Sequence, residues 1–271
     1  MNSDVKTRWI TALVIAFPVV LLLSVGTRWM WCIAIVIATF LSAKEFSQLF
    51  REHLNNKSSE AVLLLLASSF PVAAFFFKTE GLHLVLFLAF LGLMAHCLFL
   101  HPSDRLLPVR HAFTLLGAIY SGYFLSYVLL FTRPDNSLER GLLFSTIITV
   151  VASDAGAFFC GRKWGRHLLC PGVSPKKTVE GLIGGTIVGI FLGTLSAIVI
   201  AGQNSPIKAL FFALTVTIVA PFGDLIESMF KRYWGVKDSG SLLPGHGGVL
   251  DRLDSYIMAF PAAYFYRWLI W

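Results

Sequence analysis

The 271-residue chain is short of charge: Asp, Glu, Lys and Arg make up 14% of it, against roughly a quarter of an ordinary soluble domain. With 56% hydrophobic residues and a mean hydropathy of +0.73, that shortage argues against a soluble globular enzyme. Cysteine is scarce as well. Cys32, Cys97, Cys160 and Cys170 form no CxxC pair, which leaves a zinc site or disulfide framework without support and makes them small apolar packing residues. The chain lacks low-complexity tracts and any clear repeat, so the internal signature of an inverted-repeat transporter is missing. It also lacks the GxxxxGK[ST] phosphate loop, and no Ser-His-Asp nucleophilic arrangement can be assigned.

What is present is nine apolar runs, at about residues 9–25, 29–50, 61–77, 81–100, 112–131, 141–161, 179–201, 207–223 and 255–271. Most reach the roughly 17–25 residues that a spanning helix needs. The first also resembles a signal peptide, with Ser24 and Gly26 near a cleavage point, but the polytopic remainder favours a retained helix. The sequence therefore predicts an all-α, polytopic integral membrane protein of about nine transmembrane helices. Residues 1–271 read as a single membrane-embedded domain whose second half, about 141–271, carries the chemistry. Trp9, Trp29, Trp31, Trp268 and Trp271 suit interfacial anchors.

Charge supplies the orientation. Lys and Arg outnumber Asp and Glu by 22 to 15. With nine spans, the N-terminus and the even-numbered connections hold 16 of the 22 basic residues and the other face 6. The positive-inside rule then puts the N-terminus in the cytoplasm. Topology accounts for the basic excess, and the embedded aromatics do not form a base-stacking surface, so no nucleic-acid partner is expected.

The two longest polar connections of the second half, 162–178 and 224–254, fall on that same cytoplasmic side. If the apolar run before Asp224 continues as a helix, Asp224, Ser228 and Lys231 or Arg232 lie on neighbouring turns of one face. Asp251 and Asp254 share a face in the same way. Carboxylates so spaced suit Mg²⁺, which takes one or two of them and completes its shell with water and phosphate. Lys231, Arg232 and Lys237 could neutralise phosphate oxygens. Gly245, Gly247 and Gly248 around His246 permit close approach of backbone to an anion. In the other connection, Lys176 and Lys177 stand before a helix start, where orphan N–H groups favour phosphate. Asp154, inside the sixth run, is costly in lipid and should face protein or water. Gly181, Gly185, Gly189 and Gly193 form a stripe for close helix packing. Its partner is a helix of the same chain, or of a second copy in a homodimer.

The stretch from Ser228 through Lys231-Arg232, Lys237-Asp238 and Pro244-Gly-His-Gly-Gly-Val-Leu-Asp-Arg-Leu-Asp254 resembles the signature of the phosphatidate cytidylyltransferases. Ser153-Asp154 to Arg162, Ser174-Pro-Lys-Lys-Thr-Val-Glu-Gly181 and Lys6-Thr-Arg-Trp-Ile-Thr-Ala12 are also similar to segments of that family, with a local departure at Gly156-Ala157-Phe158. The resemblance implies transfer of the cytidylyl group of CTP to phosphatidate, giving CDP-diacylglycerol and pyrophosphate, with Mg²⁺, alone or with a second cation, as the expected cofactor. It implies metal ligation by Asp224 and Asp251, with Asp254 and Ser228 in support and Lys231 as the leading phosphate-binding cation. Arg232, Lys237, Lys176, Lys177, His246 and Arg252 follow as substrate-phosphate contacts. The expected partners are CTP, phosphatidate and the lipid bilayer, and the expected location is a bacterial inner membrane with the site facing the cytoplasm. Two alternatives stay open: a CTP-dependent lipid kinase, and a transporter or ion-linked membrane protein using Asp154 and the carboxylates of the second half as an ion path.

Overall fold

In a computed structural model the described residues are 18–50, 57–100, 104–132, 137–240, 242 and 247–270. His246, most of the first apolar run, Trp9 and Trp271 lie outside them. The described residues are overwhelmingly helical, and six helices are long and apolar enough to cross a membrane: Arg28–Leu49, Lys57–Phe99, Leu107–Phe131, Ser137–Trp164, Val179–Val199 and Pro206–Tyr233. The protein is a predominantly helical, polytopic integral membrane protein. Large side chains such as Phe77, Phe87, Phe191 and Phe211 are exposed on these helices, as lipid-facing positions should be.

Two compact units are distinguishable. The first comprises Met1–Leu130 and Asp238–Arg252. It contains α1 (residues 18–25), α2 (Arg28–Leu49), α3 (Lys57–Ala95) and α4 (Leu107–Ala118), the last continued by a π-helical turn over Ile119–Tyr123. Its core is aromatic: Phe46, Phe50, Phe70 and Tyr127 are fully buried, and Phe46 stacks on Phe50 at 4.3 Å.

Runs three and four of the sequence both fall in α3. A continuous helix of the 43 residues Lys57–Phe99 would extend about 65 Å, twice the roughly 30 Å of hydrocarbon. Lys78 breaks it, with φ 59° and ψ −143°. Gly81 then lies against the Ala73 carbonyl and the Phe77 side chain, although eight residues of unbroken helix would separate Gly81 from Ala73 by about 12 Å. The chain folds back at Lys78 into two arms, and Gly81 is where a side chain would prevent the close approach.

The second unit comprises Phe131–Lys237 and Leu253–Trp271. Its elements are α5 (Ser137–Trp164), β1 (Leu168–Cys170), β2 (Ser174–Thr178), α6 (Val179–Val199), α7 (Pro206–Tyr233) and the greater part of α8 (Leu250–Ile270). The polar connection 162–178 is thus a short antiparallel hairpin pairing Leu168 with Thr178 and Cys170 with Ser174. Helix starts follow their caps. Thr178 Oγ1 accepts from Gly181 N at 3.1 Å, and Ser205 precedes Pro206 at the first position of α7, where a missing N–H costs nothing.

The glycine stripe of α6 is filled within the chain. Gly185 sits against the Ser153 carbonyl and Ala157 of α5, Gly189 against Ser153 and Thr217, and Gly193 against Thr149 and Ala213. A side chain at Gly189 would have to displace both α5 and α7. Gly189→Leu is therefore expected to destabilise the protein by about 1–3 kcal/mol through overpacking, read as a lower Tm in detergent; an unchanged Tm would contradict this packing.

Candidate active site

In the second unit α5, the hairpin, α6 and α7 enclose a cleft of about 460 Å³. Asp154 and Arg162 reach it from α5, Lys176 and Lys177 from β2, and Asp224 from α7; Phe158, Leu169, Leu182 and Pro221 supply apolar wall. Lys177 Nζ lies 2.5 Å from Asp224 Oδ2. The other oxygen, Oδ1, accepts from Ser228 Oγ at 3.2 Å, one turn further along the same helix face. Asp154 is close enough to Asp224 and Lys177 to feel both charges. One lysine thus offsets two carboxylates, beside apolar walls. Asp154 faces this cleft, as the cost of a carboxylate in lipid demands.

A second acidic group follows along α7. The Asp254 carboxyl lies close enough to Glu227, Asp224 and Lys231 to interact electrostatically with all three. Lys231 Nζ is 3.3 Å from Glu227 Oε1, with Glu227 fully buried and Lys231 nearly so. The cation expected to bind phosphate is therefore held in a buried ion pair, where each partner offsets the other's desolvation. Glu227 had one legible signal, its position four residues before Lys231.

The remaining basic residues divide. Arg232 ties the end of α7 to the hairpin turn, its Nε donating to the Val173 carbonyl at 3.3 Å and its Nη1 to the Val236 carbonyl at 3.4 Å. Lys176, Lys237 and Arg252 are exposed. The other end of the hairpin is fixed by Glu180, which accepts from the backbone N–H groups of Arg166 and His167 at 3.0 and 3.2 Å and contacts His167 Nδ1 at 2.6 Å. That carboxylate ties the start of α6 to the residues that lead into β1.

Asp251 belongs to the first unit, in the first turn of α8. Its Oδ2 accepts from Gly248 N at 2.7 Å and from Ser239 N at 3.1 Å. Gly247 takes φ +83° with the Asp251 carboxylate beside the position a Cβ would occupy, a conformation and a closeness that only glycine accepts cheaply. Glu45, from α2, approaches the same turn: its Oε1 accepts from Val249 N at 2.9 Å and its Oε2 from Leu250 N at 2.8 Å. Sequence reasoning passed over Glu45, because a glutamate near the end of an apolar run reads as a span boundary.

Among the described residues no three or more His, Cys, Asp or Glu side chains form a ready-made metal cluster. The donors that are present are hard carboxylate oxygens, with Asp154 near Asp224 and the Asp254–Glu227 pair. They fit Mg²⁺, which needs only one or two carboxylates and keeps water and substrate phosphate in its other positions.

The model of the cytidylyltransferase family matches residues 6–270. The chain is similar to the phosphatidate cytidylyltransferase of Bacillus subtilis (strain 168), 39% identical over 155 residues that cover 56% of each chain. It is 38% identical to that of Staphylococcus saprophyticus over 150 residues, 55% of this chain and 56% of the relative. The phosphatidate cytidylyltransferase of Mycobacterium tuberculosis (strain ATCC 25618 / H37Rv) is 39% identical over 151 residues, 56% of this chain and 45% of the relative. The matches thus span about half the length of these relatives.

Proposed function

The chain belongs to the cytidylyltransferase family, and from that premise we propose that it transfers the cytidylyl group of CTP to phosphatidate, releasing CDP-diacylglycerol and pyrophosphate for phospholipid synthesis. The observation that carries this reading is the cleft in which Asp154, Lys177 and Asp224 meet beside apolar walls. The names of the relatives agree with it. Such a cleft suits an amphiphile with a phosphorylated head.

In the reaction a phosphate oxygen of phosphatidate forms a bond to the α-phosphorus of CTP, and the bond from that phosphorus to the bridging oxygen breaks. The electron pair leaves on pyrophosphate. A phosphate monoester has its second pKa near 6, so the nucleophile is already largely ionised at neutral pH and needs no strong protein base. Catalysis then rests on alignment and on charge neutralisation. Lys176, Lys177 and Arg162 are the cations assigned to the phosphates, with Lys231, Arg232, Lys237, His246 and Arg252 kept in that role by their motif. Ser228 orients Asp224. Asp224, with Asp254 in support, and Asp251 are the carboxylates assigned to Mg²⁺, which when bound supplies Lewis-acid neutralisation of the phosphate oxygens.

In this reading residues 1–271 act as one membrane-embedded domain of nine spans, with a cytoplasmic N-terminus and the site at the cytoplasmic face of a bacterial inner membrane. The 16-to-6 division of basic residues supports that orientation. The lipid stays in the bilayer while its head meets soluble CTP.

Purified protein is expected to release pyrophosphate only when CTP, phosphatidate and Mg²⁺ are all present. Diacylglycerol in place of phosphatidate should give none. Release of CDP with formation of a lipid phosphate from diacylglycerol would instead establish the lipid kinase alternative.

A further inference from the structure

Glu45 is the one acidic residue of α2, only 5% exposed, yet none of the ion pairs among the described residues includes it. Its carboxylate is satisfied by backbone instead. Val249 N and Leu250 N donate to its two oxygens at 2.9 and 2.8 Å, and Ser239 Oγ donates to Oε2 at 3.2 Å. Those two N–H groups open α8, where the helix dipole favours a negative charge. Glu45 is thus an N-terminal cap delivered about two hundred residues away along the chain.

The glycines of the turn have the same explanation. A Cβ at Gly240 or at Gly248 would fall on the Glu45 carboxylate, and at Gly248 also on Ser239 Oγ. Both backbones wrap the carboxylate at a distance that any side chain would prevent. Ser239 links the two acids: its hydroxyl serves Glu45 while its N–H serves Asp251, which also holds Gly248 N. Ser239 N–H is shared by both Asp251 oxygens, at 3.3 Å from Oδ1 and 3.1 Å from Oδ2, and in a network so connected the Glu45 carboxylate dictates where Asp251 stands.

We infer that Glu45 is a positioning residue, anchoring the Ser239–Gly248–Leu250 turn from α2 and thereby aiming the Asp251 carboxylate. It touches no substrate in this role. The catalytic consequence rests on the function proposed above for Asp251, whereas the anchoring itself does not. Glu45→Gln tests both. The amide keeps the side chain's size but replaces one acceptor oxygen with an NH₂ that faces backbone N–H donors, and a buried donor left against a donor costs the full desolvation of both.

The first measurement is amide hydrogen exchange of wild type and Glu45→Gln in detergent, followed by mass spectrometry. Exchange across 247–251 is expected to quicken at least about tenfold, the change that follows from a local loss of about 1.4 kcal/mol, with the transmembrane helices unaltered. Unchanged exchange in that segment would overturn the anchor. The second is pyrophosphate release as a function of Mg²⁺. Glu45→Gln should lower kcat and raise the half-saturating Mg²⁺ concentration, leave KM for phosphatidate within about twofold, and recover part of its rate at high Mg²⁺. A general fold defect would lower the active fraction without moving the Mg²⁺ dependence, and that pattern would overturn the positioning role. Ser239→Ala, which deletes only the hydroxyl link, should show the same changes in smaller degree if Glu45→Gln proves too unstable to purify; wild-type values there would overturn the inference. A wild-type protein that releases no pyrophosphate would refute the proposed function, while hydrogen exchange would still decide the anchor.

Discussion

Asp224→Asn is expected to lower turnover roughly 10²- to 10³-fold, the loss typical of removing one preorganised electrostatic group from a reaction centre, while the protein still inserts and purifies normally. The substitution is discriminating because of how the carboxylate is held. One oxygen accepts from Ser228 and the other pairs with Lys177 at 2.5 Å, so an amide can keep the serine contact while the charge is lost. Lys177 would then face Asp154 alone among the carboxylates of the cleft. Steady-state kinetics at saturating CTP and phosphatidate give the fall in kcat, and a thermal melt shows whether the fold survives. Near-wild-type turnover would remove Asp224 from the reaction.

Asp251→Asn should produce a loss of similar size, about 10²-fold or more, and here the geometry separates charge from scaffold. The Oδ2 oxygen takes the shorter bonds, from Gly248 N and Ser239 N, while Oδ1 takes only the longer share of Ser239 N–H at 3.3 Å, so an asparagine whose carbonyl takes the Oδ2 position keeps the two shorter bonds. Only the negative charge and the second oxygen disappear. The expected result is a strong fall in kcat with hydrogen exchange at 247–251 close to wild type, opposite in pattern to Glu45→Gln. Quickened exchange with full activity would mean that Asp251 serves the turn alone.

Much of the fold was legible because helices in lipid must be apolar and about twenty residues long. The run 29–50 became α2 at Arg28–Leu49, and the run 179–201 became α6 at Val179–Val199. The run 207–223 shows where hydropathy stops being informative: α7 continues ten residues further, to Tyr233, because Asp224 is paired with Lys177 and Glu227 with Lys231 instead of ending the helix. The α6 glycine stripe was legible as a packing surface, and its partners proved to be α5 and α7.

The site was legible in residue type more than in partnership. Asp224 beside Lys177 joins residues from the two connections that charge had put on one side. Lys231 was readable as a cation, but not that a fully buried Glu227 holds it. Glu45 could not be found from local pattern, since its donors are Ser239, Val249 and Leu250 and only tertiary structure brings them together. The hairpin at 168–178 was hidden for a similar reason: three residues pair with five, too short for a period-two pattern to stand out.

The most direct test of the central claim is to follow the α-phosphate of CTP. Detergent-purified protein is given phosphatidate, α-labelled CTP and Mg²⁺, with a control lacking metal, and the label is traced through extraction and chromatography. The account predicts label in a CDP-lipid, one pyrophosphate released for each labelled lipid, and no transfer without the metal. Label that stays wholly in water-soluble nucleotide, in a preparation shown to be folded, would contradict it.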